Sequence, residues 1–444
     1  MSLFGAMDTA VSGLTAQSSA FTNISDNVAN SQTVGYKRVD TNFIDYLTTS
    51  TASQNDSGAV ATTPDYVNNV QGTIAQTDNT LGLAIAGQGF FAVSQKSGEA
   101  NNIPTFGTQQ YYTRTGDFQM DKNGYLVNSA GEYLDGWPVD SQTGAVNRNT
   151  LTPIQVTQTV YNPVPTSTVT LSANLPATPA TGTATSASPI SSDVDVYDSR
   201  GTMHTVTLNW VQTAQDTWSV QISSADDTTA ADRGTADVDF GPTTSGNPVA
   251  SGTVGKLAAD ATDPGTVAVS AYAANTAATL SFTTDFGSGA QTIAINLGTF
   301  GQTNGATQYA GTQYDLRGLT QNGVPPGAYS SVTTQANGNI VVNYDNGQSR
   351  TIAQVPVVTF NDPNQLQRQN GQAYTASAQS GTPLADPAGV NGAGTLVTQS
   401  VESSNVDIAT EFSKLIVAQQ AYSANTKMIT ATNQMLQQTI DMKQ

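Results

Sequence analysis

The sequence predicts a mainly β fold with α-helical termini. Three observations carry this: sevenfold apolar spacing confined to the two ends, Asn-Gly pairs between alternating runs in the middle, and a small-residue stretch near the centre that parts one group of strands from the next. The plan is nested. The N- and C-terminal helices (1–30 and 405–444) pair as a coiled-coil-like core domain, a linker (31–70) leads outward, and both halves of the chain (71–150 and 326–404) build an inner β-domain. One or more outer β-domains are inserted centrally (151–325).

The first helix is read from Met7, Leu14, Phe21 and Val28, which recur every seven residues, with Ala10 and Ile24 three positions after the first and third. In the last helix Ile408, Leu415, Tyr422, Ile429 and Leu436 form a second sevenfold series. Phe412 and Ile440 stand four positions on, in a column that also holds Gln419, Thr426 and Asn433. A seven-residue repeat marks a seam that supercoils against a partner helix. A lone amphipathic helix ordinarily lays such a stripe on its own globular core, but the opposite face of the first helix argues for something else. It carries Thr9, Ser12, Thr15, Ser19, Thr22 and Asn23, and neither Lys nor Glu, whereas a solvated helix face normally carries charged pairs. Many of these residues are poor helix formers. Both termini therefore read as assembly surfaces that become helical among neighbouring copies.

Inside the termini, Asn-Gly occurs at 123–124, 304–305, 322–323, 337–338, 346–347, 370–371 and 391–392. These pairs supply the positive φ angles of tight hairpins, as in FQMDKNGYLV (118–127). Aromatic residues crowd 87–137 (Phe90, Phe91, Tyr111, Tyr112, Phe118, Tyr125, Tyr133, Trp137) and read as a small rigid β-core. The Pro/Thr/Ala/Ser-rich stretch Leu175–Ser192 reads as a linker or long loop, and 193–222 as hairpins turning at Asp198–Gly201. Residues 223–310 are small and weakly patterned, readable only as strand or loop.

Composition excludes several kinds of function. With 15 Lys+Arg against 33 Asp+Glu the formal charge is −18, which argues against a nucleic-acid binder tracking phosphates. Charged residues make up 11 % of the chain, against roughly 25 % in ordinary domains, giving a wet but largely uncharged surface. Cysteine is absent, so disulfides, thiolate metal sites and cysteine nucleophiles are excluded. No run approaches the roughly 20 apolar residues of a membrane span, so no membrane insertion is expected. The opening MSLFGAMDTAVSGL has neither a basic n-region nor a continuous apolar h-region, so no cleaved signal is expected.

Little catalytic chemistry survives inspection. The single histidine, His204, lies in an expected strand among Thr202, Met203 and Thr205, and reads as a surface or packed strand residue. GQGFF (87–91) lacks the spacing of a dinucleotide fingerprint, and no Walker loop occurs. No enzyme activity, catalytic residue, metal ligand or cofactor is expected.

Four stretches resemble the axial proteins of the bacterial flagellum, the rod and hook family. NVANSQTVGYKR (27–38) is similar to the signature closing the first helix there, with Asn27, Asn30, Gly35, Tyr36 and Lys37 as its signature residues. LAIAGQGFFAV (83–93) and YTRTGDFQMDKNGYLVNSAGEYLDGW (112–137) resemble the shared inner-domain motifs, and 401–437 the common C-terminal helix. These cover about half the chain. VYDSRGTMHTVTLNWVQ (196–212) and the long central insertion are similar to the outer domain of the hook type.

The resemblance implies a structural subunit that polymerises with itself into a curved helical tube, a universal joint carrying torque from rod to filament. The seam residues Met7, Leu14, Phe21, Ile24, Val28, Ile408, Phe412, Leu415, Tyr422, Ile429, Leu436 and Ile440 would then line subunit contacts. It also implies an extracellular place in the flagellum, passage through the flagellar type III export apparatus, and the distal rod, hook cap and hook–filament junction proteins as partners. Two alternatives stay open: a distal-rod-like axial protein, and a secreted β-rich adhesin or glycan-binding protein suggested by the Thr/Ser/Asn-rich centre. Lys37 and Arg38 are expected outside the packed core, either solvated or paired with Asp407 and Glu411 of a neighbouring copy.

Overall fold

The computed structural model describes residues 3–50, 55–140, 143–177, 188–260 and 267–442. The chain divides into two compact units, one of Met1–Gln158, Ser330–Asn343 and Ser349–Gln444, the other of Thr159–Tyr329 and Tyr344–Gln348. The fold class is as expected, mainly strand with one long helix at each end.

In the first unit an N-terminal helix (Leu3–Ala29) lies antiparallel to a C-terminal helix (Ile408–Asp441). Asn27 bonds Glu411, Phe21 meets Tyr422 edge-on at 6.2 Å, and Gly13 lies against Asn425. The segment 31–70, expected as a linker, instead holds a hairpin. Val39–Ser50 pairs with Asn55–Tyr66 from Val39↔Tyr66 to Ser50↔Asn55. Apolar and polar residues do not alternate cleanly here, so the segment carries no strand signal. The hairpin covers part of the first helix: Ser12 Oγ accepts the Val60 N–H (3.1 Å) and Asn23 Nδ2 donates to Thr41 Oγ1 (2.8 Å). The uncharged face read as awaiting neighbouring copies is thus partly covered within one chain.

The inner sheet draws strands from both halves of the chain. Glu132–Pro138 pairs with Phe91–Ala100 through its first residues and with Ser349–Gln354 through its last, and Tyr111–Thr113 joins Phe91–Ala100 to Ala373–Thr375. Of the expected aromatic core, Phe90, Phe91, Tyr112, Phe118, Tyr133 and Trp137 are buried. Phe91 meets Phe118 edge-on at 5.6 Å, and Tyr112 meets Phe360 at 4.9 Å. Such pairs hold a small sheet rigid beyond area burial alone.

The second unit is two sheets over one core. Ile190–Tyr197, Met203–Ala214, Thr217–Ser223, Asp232–Phe240 and Val254–Ala259 form an antiparallel meander. Facing it are Ala277–Asp285, Ala290–Thr299 and Thr168–Pro176. Trp210, Trp218, Phe240, Phe282 and Phe300 fill the space between. Much of 223–310 is therefore regular strand. In Ala277–Asp285 the buried positions are Ala278, Leu280, Phe282 and Thr284, an inward row too rich in small and polar residues to stand out by hydropathy. The turn at Asp198–Gly201 forms as expected, closed by Gly201 N–H to Asp198 O (3.0 Å). Of the Leu175–Ser192 stretch, its first residues end strand Thr168–Pro176, its last open strand Ile190–Tyr197, and 178–187 lie outside the described residues.

Five Asn-Gly pairs place the glycine at positive φ (Gly124, Gly338, Gly347, Gly371, Gly392), and only at 391–392 is the Asn positive as well. Gly305 serves close approach instead, since a Cβ there would lie 2.0 Å from Leu297 O.

Two inner carboxylates are buried without a cation. Burial raises Glu132 to about 7, and Asp135 to about 6 against the bonds from Gln110 and Ser94. A folded-state pKa above the unfolded one contributes stability that is full below the unfolded pKa and lost as pH rises through the folded one. Unfolding midpoints are therefore expected to fall between pH 5 and pH 8. Glu132→Gln should shrink that difference; an unchanged pH dependence in denaturant titrations would contradict it.

Candidate assembly surface and the junction beneath it

The signature residues meet at one buried junction. Asn27, fully buried, uses its whole amide: Nδ2 donates to Val39 O (3.0 Å) and Glu411 Oε2 (3.1 Å), while Oδ1 accepts from Val39 N (2.9 Å) and Tyr36 Oη (3.2 Å). One side chain thereby ties the first helix to the hairpin and to the last helix. Asn30 closes the first helix, with Nδ2 donating to Asp26 O (2.8 Å) and Oδ1 accepting from Thr33 Oγ1 (3.2 Å). Gly35 then turns the chain at φ +71°, its N–H on Glu402 O (2.8 Å); a Cβ there would lie 2.6 Å from Thr115 N. Tyr36 is buried under the Arg368 guanidinium, 4.6 Å from its ring.

That turn overturns the expectation for the two cations. Lys37 is 1 % exposed and bonds Glu402 of its own chain (2.5 Å) and Val70 O (2.7 Å). Arg38 lies 3.4 Å from Asp40. The carboxylates expected from a neighbouring copy are engaged as well. Asp407 caps the last helix through Thr410 N (2.7 Å), and buried Glu411 accepts from Asn27 and Lys414. The cause is the left-handed residue at Gly35, which sends the backbone under the inner sheet.

Glu402 is the centre of this cluster. Oε1 accepts Lys37 and the Gly72 N–H (2.7 Å); Oε2 accepts Arg114 (2.8 Å), whose guanidinium also donates to Ile85 O and Gly87 O. Two cations face one carboxylate, so the buried cluster carries an excess positive charge. Burial pulls Lys37 down to about 8 against the opposing pull of Glu402, and Arg114 lowers it further.

The seam residues divide differently from the sequence reading. Ile24 is buried, while Met7, Leu14, Phe21 and Val28 are half-buried. In the last helix Leu415, Ile429 and Leu436 are half-buried, and Ile408, Phe412, Tyr422 and Ile440 are exposed. The column lying deepest against the first helix is Glu411, Ala418, Asn425 and Thr432, also sevenfold. Hydropathy passed over it because its members are small or polar. Only the seven-residue spacing beside Leu415, Tyr422 and Ile429 could have pointed to it. The hydroxyls of the first helix bond back to the preceding turn: Thr9 to Gly5 O, Thr15 to Val11 O, Ser19 to Thr15 O, Thr22 to Ser18 O. They present neither charge nor an unmet donor to whatever packs there.

His204 lies flat on Phe286 at 4.0 Å, with Nδ1 3.2 Å from Asp226 and Nε2 3.8 Å from Asp198. Among the described residues no group of three or more His, Asp or Glu side chains is disposed to hold a metal.

Removing Glu402 leaves two buried cations, whereas removing Lys37 leaves a neutral Arg114–Glu402 pair. Glu402→Gln should therefore cost about 3–5 kcal/mol, and Lys37→Met only about 1–2 kcal/mol. Equal losses in urea unfolding would contradict this charge count. Because the folded pKa of Lys37 lies near 8 and its ordinary value is 10.5, the unfolded chain holds more protons between them. The Lys37 contribution should accordingly rise from pH 8 to pH 10, a slope that Lys37→Met removes.

Four family profiles match the chain in order: "Flagella basal body rod protein" over 7–37, "Flagellar hook protein FlgE/F/G D1 domain" over 84–174, "Flagellar basal body protein FlaE D2 domain" over 166–324, and "Flagellar basal body rod FlgEFG protein C-terminal" over 397–442. The flagellar hook protein FlgE of Brucella suis biovar 1 is 33 % identical over 447 residues, covering all of both chains. That of Rhizobium meliloti is 28 % identical over 452 residues, again covering both chains fully. That of Salmonella typhimurium is 28 % identical over 442 residues, covering 98 % of this chain and 99 % of the relative.

Proposed function

The chain belongs to the bacterial flagellar hook protein family, as a structural subunit of the hook, and we propose that it polymerises into a curved helical tube acting as a universal joint between rod and filament. The observation that carries this reading is the bare apolar surface of the C-terminal helix. Phe412, Ile416, Val417, Tyr422, Met428, Met435 and Ile440 are between 43 % and 65 % exposed on one element. These seven stand on more than one side of the helix, so no single neighbouring element of the same chain covers them. Copies packed side by side would cover them, each Å² removed from water contributing roughly 25 cal/mol.

In this reading the terminal helices form the inner wall of the tube and the inner sheet surrounds them. The outer surface, poor in charge, offers polar contacts that exchange at little cost as the tube bends. The chain leaves the cell through the flagellar type III apparatus without signal cleavage. It meets the distal rod at one end of the tube and the cap and junction proteins at the other.

A chain lacking 1–30 or 405–444 is expected to stay monomeric while the second unit keeps its fold. Negative-stain electron microscopy and near-UV circular dichroism read the two outcomes, and tubes of normal diameter from either truncation would sink the assignment. Straight rather than curved polymers of the full chain would favour the rod-like alternative.

A further inference from the structure

The core helices carry two apolar features that the single chain leaves unmatched. The first is a groove of about 570 Å³ between the N-terminal helix, the first hairpin strand and the C-terminal helix. Its apolar lining is Ala20, Ile24, Val39, Phe43, Val417 and Ala418, with Lys414 and Asp40 bonded to each other at its edge. A volume of this size takes up apolar groups of drug-like bulk, in the range of about 300–1,000 Å³. The second is the far end of the C-terminal helix. With Gly13 against Asn425 in an antiparallel pair, one-for-one pairing brings Leu3 level with Met435, so the last turns outrun the first helix.

Those turns are strongly sided. At 100° per residue Met435, Leu436, Ile440 and Met442 share one face with Thr439, whose hydroxyl is spent on Met435 O, and Gln434, Gln437, Gln438 and Asp441 take the other. Met435, Ile440 and Met442 are exposed, and Leu436 is half-buried. That face carries no charge, and the charged residues lining the groove, Asp40 and Lys414, are bonded to each other. Methionine fills irregular apolar gaps well, being unbranched and polarizable.

Groove and tail sit at opposite ends of the same helix, since Val417 and Ile440 are about 35 Å apart along it. One chain therefore cannot fill its own groove. A contact between two different patches at opposite ends of a protomer propagates from copy to copy, into an open helical polymer where its rotation does not close a ring, whereas a self-complementary patch stops at a dimer.

We propose that a second copy of this chain fills the groove, seating the apolar face of its own 435–442 turns there, head to tail. This rests on the reading of the chain as a polymerising hook subunit and names the contact that propagates it.

The chain has no cysteine, so paired substitutions test the contact directly. A Val417→Cys/Ile440→Cys chain, polymerised and then oxidised, should give a ladder of covalent dimers, trimers and longer species on denaturing gels. The 35 Å separation forbids an intrachain bond, which needs Cα atoms within about 7 Å. Either single substitution should leave monomers, and an equal mixture of the two single variants should give a covalent dimer and nothing longer. Polymer without cross-links in both the double variant and the mixture would overturn the proposal while leaving the hook reading standing. Dimers from Ile440→Cys alone would overturn it in favour of a symmetric tail-to-tail contact. A native chain that forms no polymer under the same conditions would sink the hook reading and this proposal together.

Discussion

The carboxylate of Glu402 governs where both ends of the chain leave the β-structure. It accepts Lys37 at the entrance to the hairpin, the Gly72 N–H just past its exit, and Arg114 from the inner sheet, while its own carbonyl accepts Gly35 N–H. Six residues later the C-terminal helix begins. A buried ion cluster is a weak source of net stability but a stringent one of geometry, because any misplacement strands a charge away from water. The attitude of the terminal helices to the inner sheet is specified by the same bonds.

Around this cluster the unit is arranged so that polar groups fix position and apolar groups are left for contact. Asn27 joins three elements with one amide. The deepest column of the last helix is Glu411, Ala418, Asn425 and Thr432, which lets the helices approach closely while sealing little apolar area between them. Larger side chains such as Phe412, Val417 and Met435 are thereby displaced outward. The exposure of these residues follows from how the two helices meet.

Much of this was legible in the sequence, and what was missed has identifiable causes. The helical ends, the inner sheet built from both halves and the inserted β-unit were all signalled by spacing and turn residues. The hairpin at 39–66 was missed because its strands are short of apolar alternation and its stability comes from lying on the first helix. The strands within 223–310 were missed because alanine and threonine occupy inward positions. Above all, Lys37 read as a surface cation because nothing near it in sequence could neutralise it. Its partner stands 365 residues away, a distance over which local pattern is silent. The terminal helices were recognised by period, yet the face each buries within its own chain depends on which column is small, which a hydropathy stripe does not reveal.

That separation also imposes a schedule. A ribosome adding about 5–20 residues per second makes Lys37 some tens of seconds before it makes Glu402. Throughout that interval the ammonium has no counter-charge and stays hydrated, and the first helix lacks the second against which it docks. The junction is therefore among the last parts of the protein able to form, and it cannot form on any fragment that stops short of residue 402. The second unit, whose residues end at Gln348, has no such wait. The pairing of the two terminal helices matures only when the last of the chain is present.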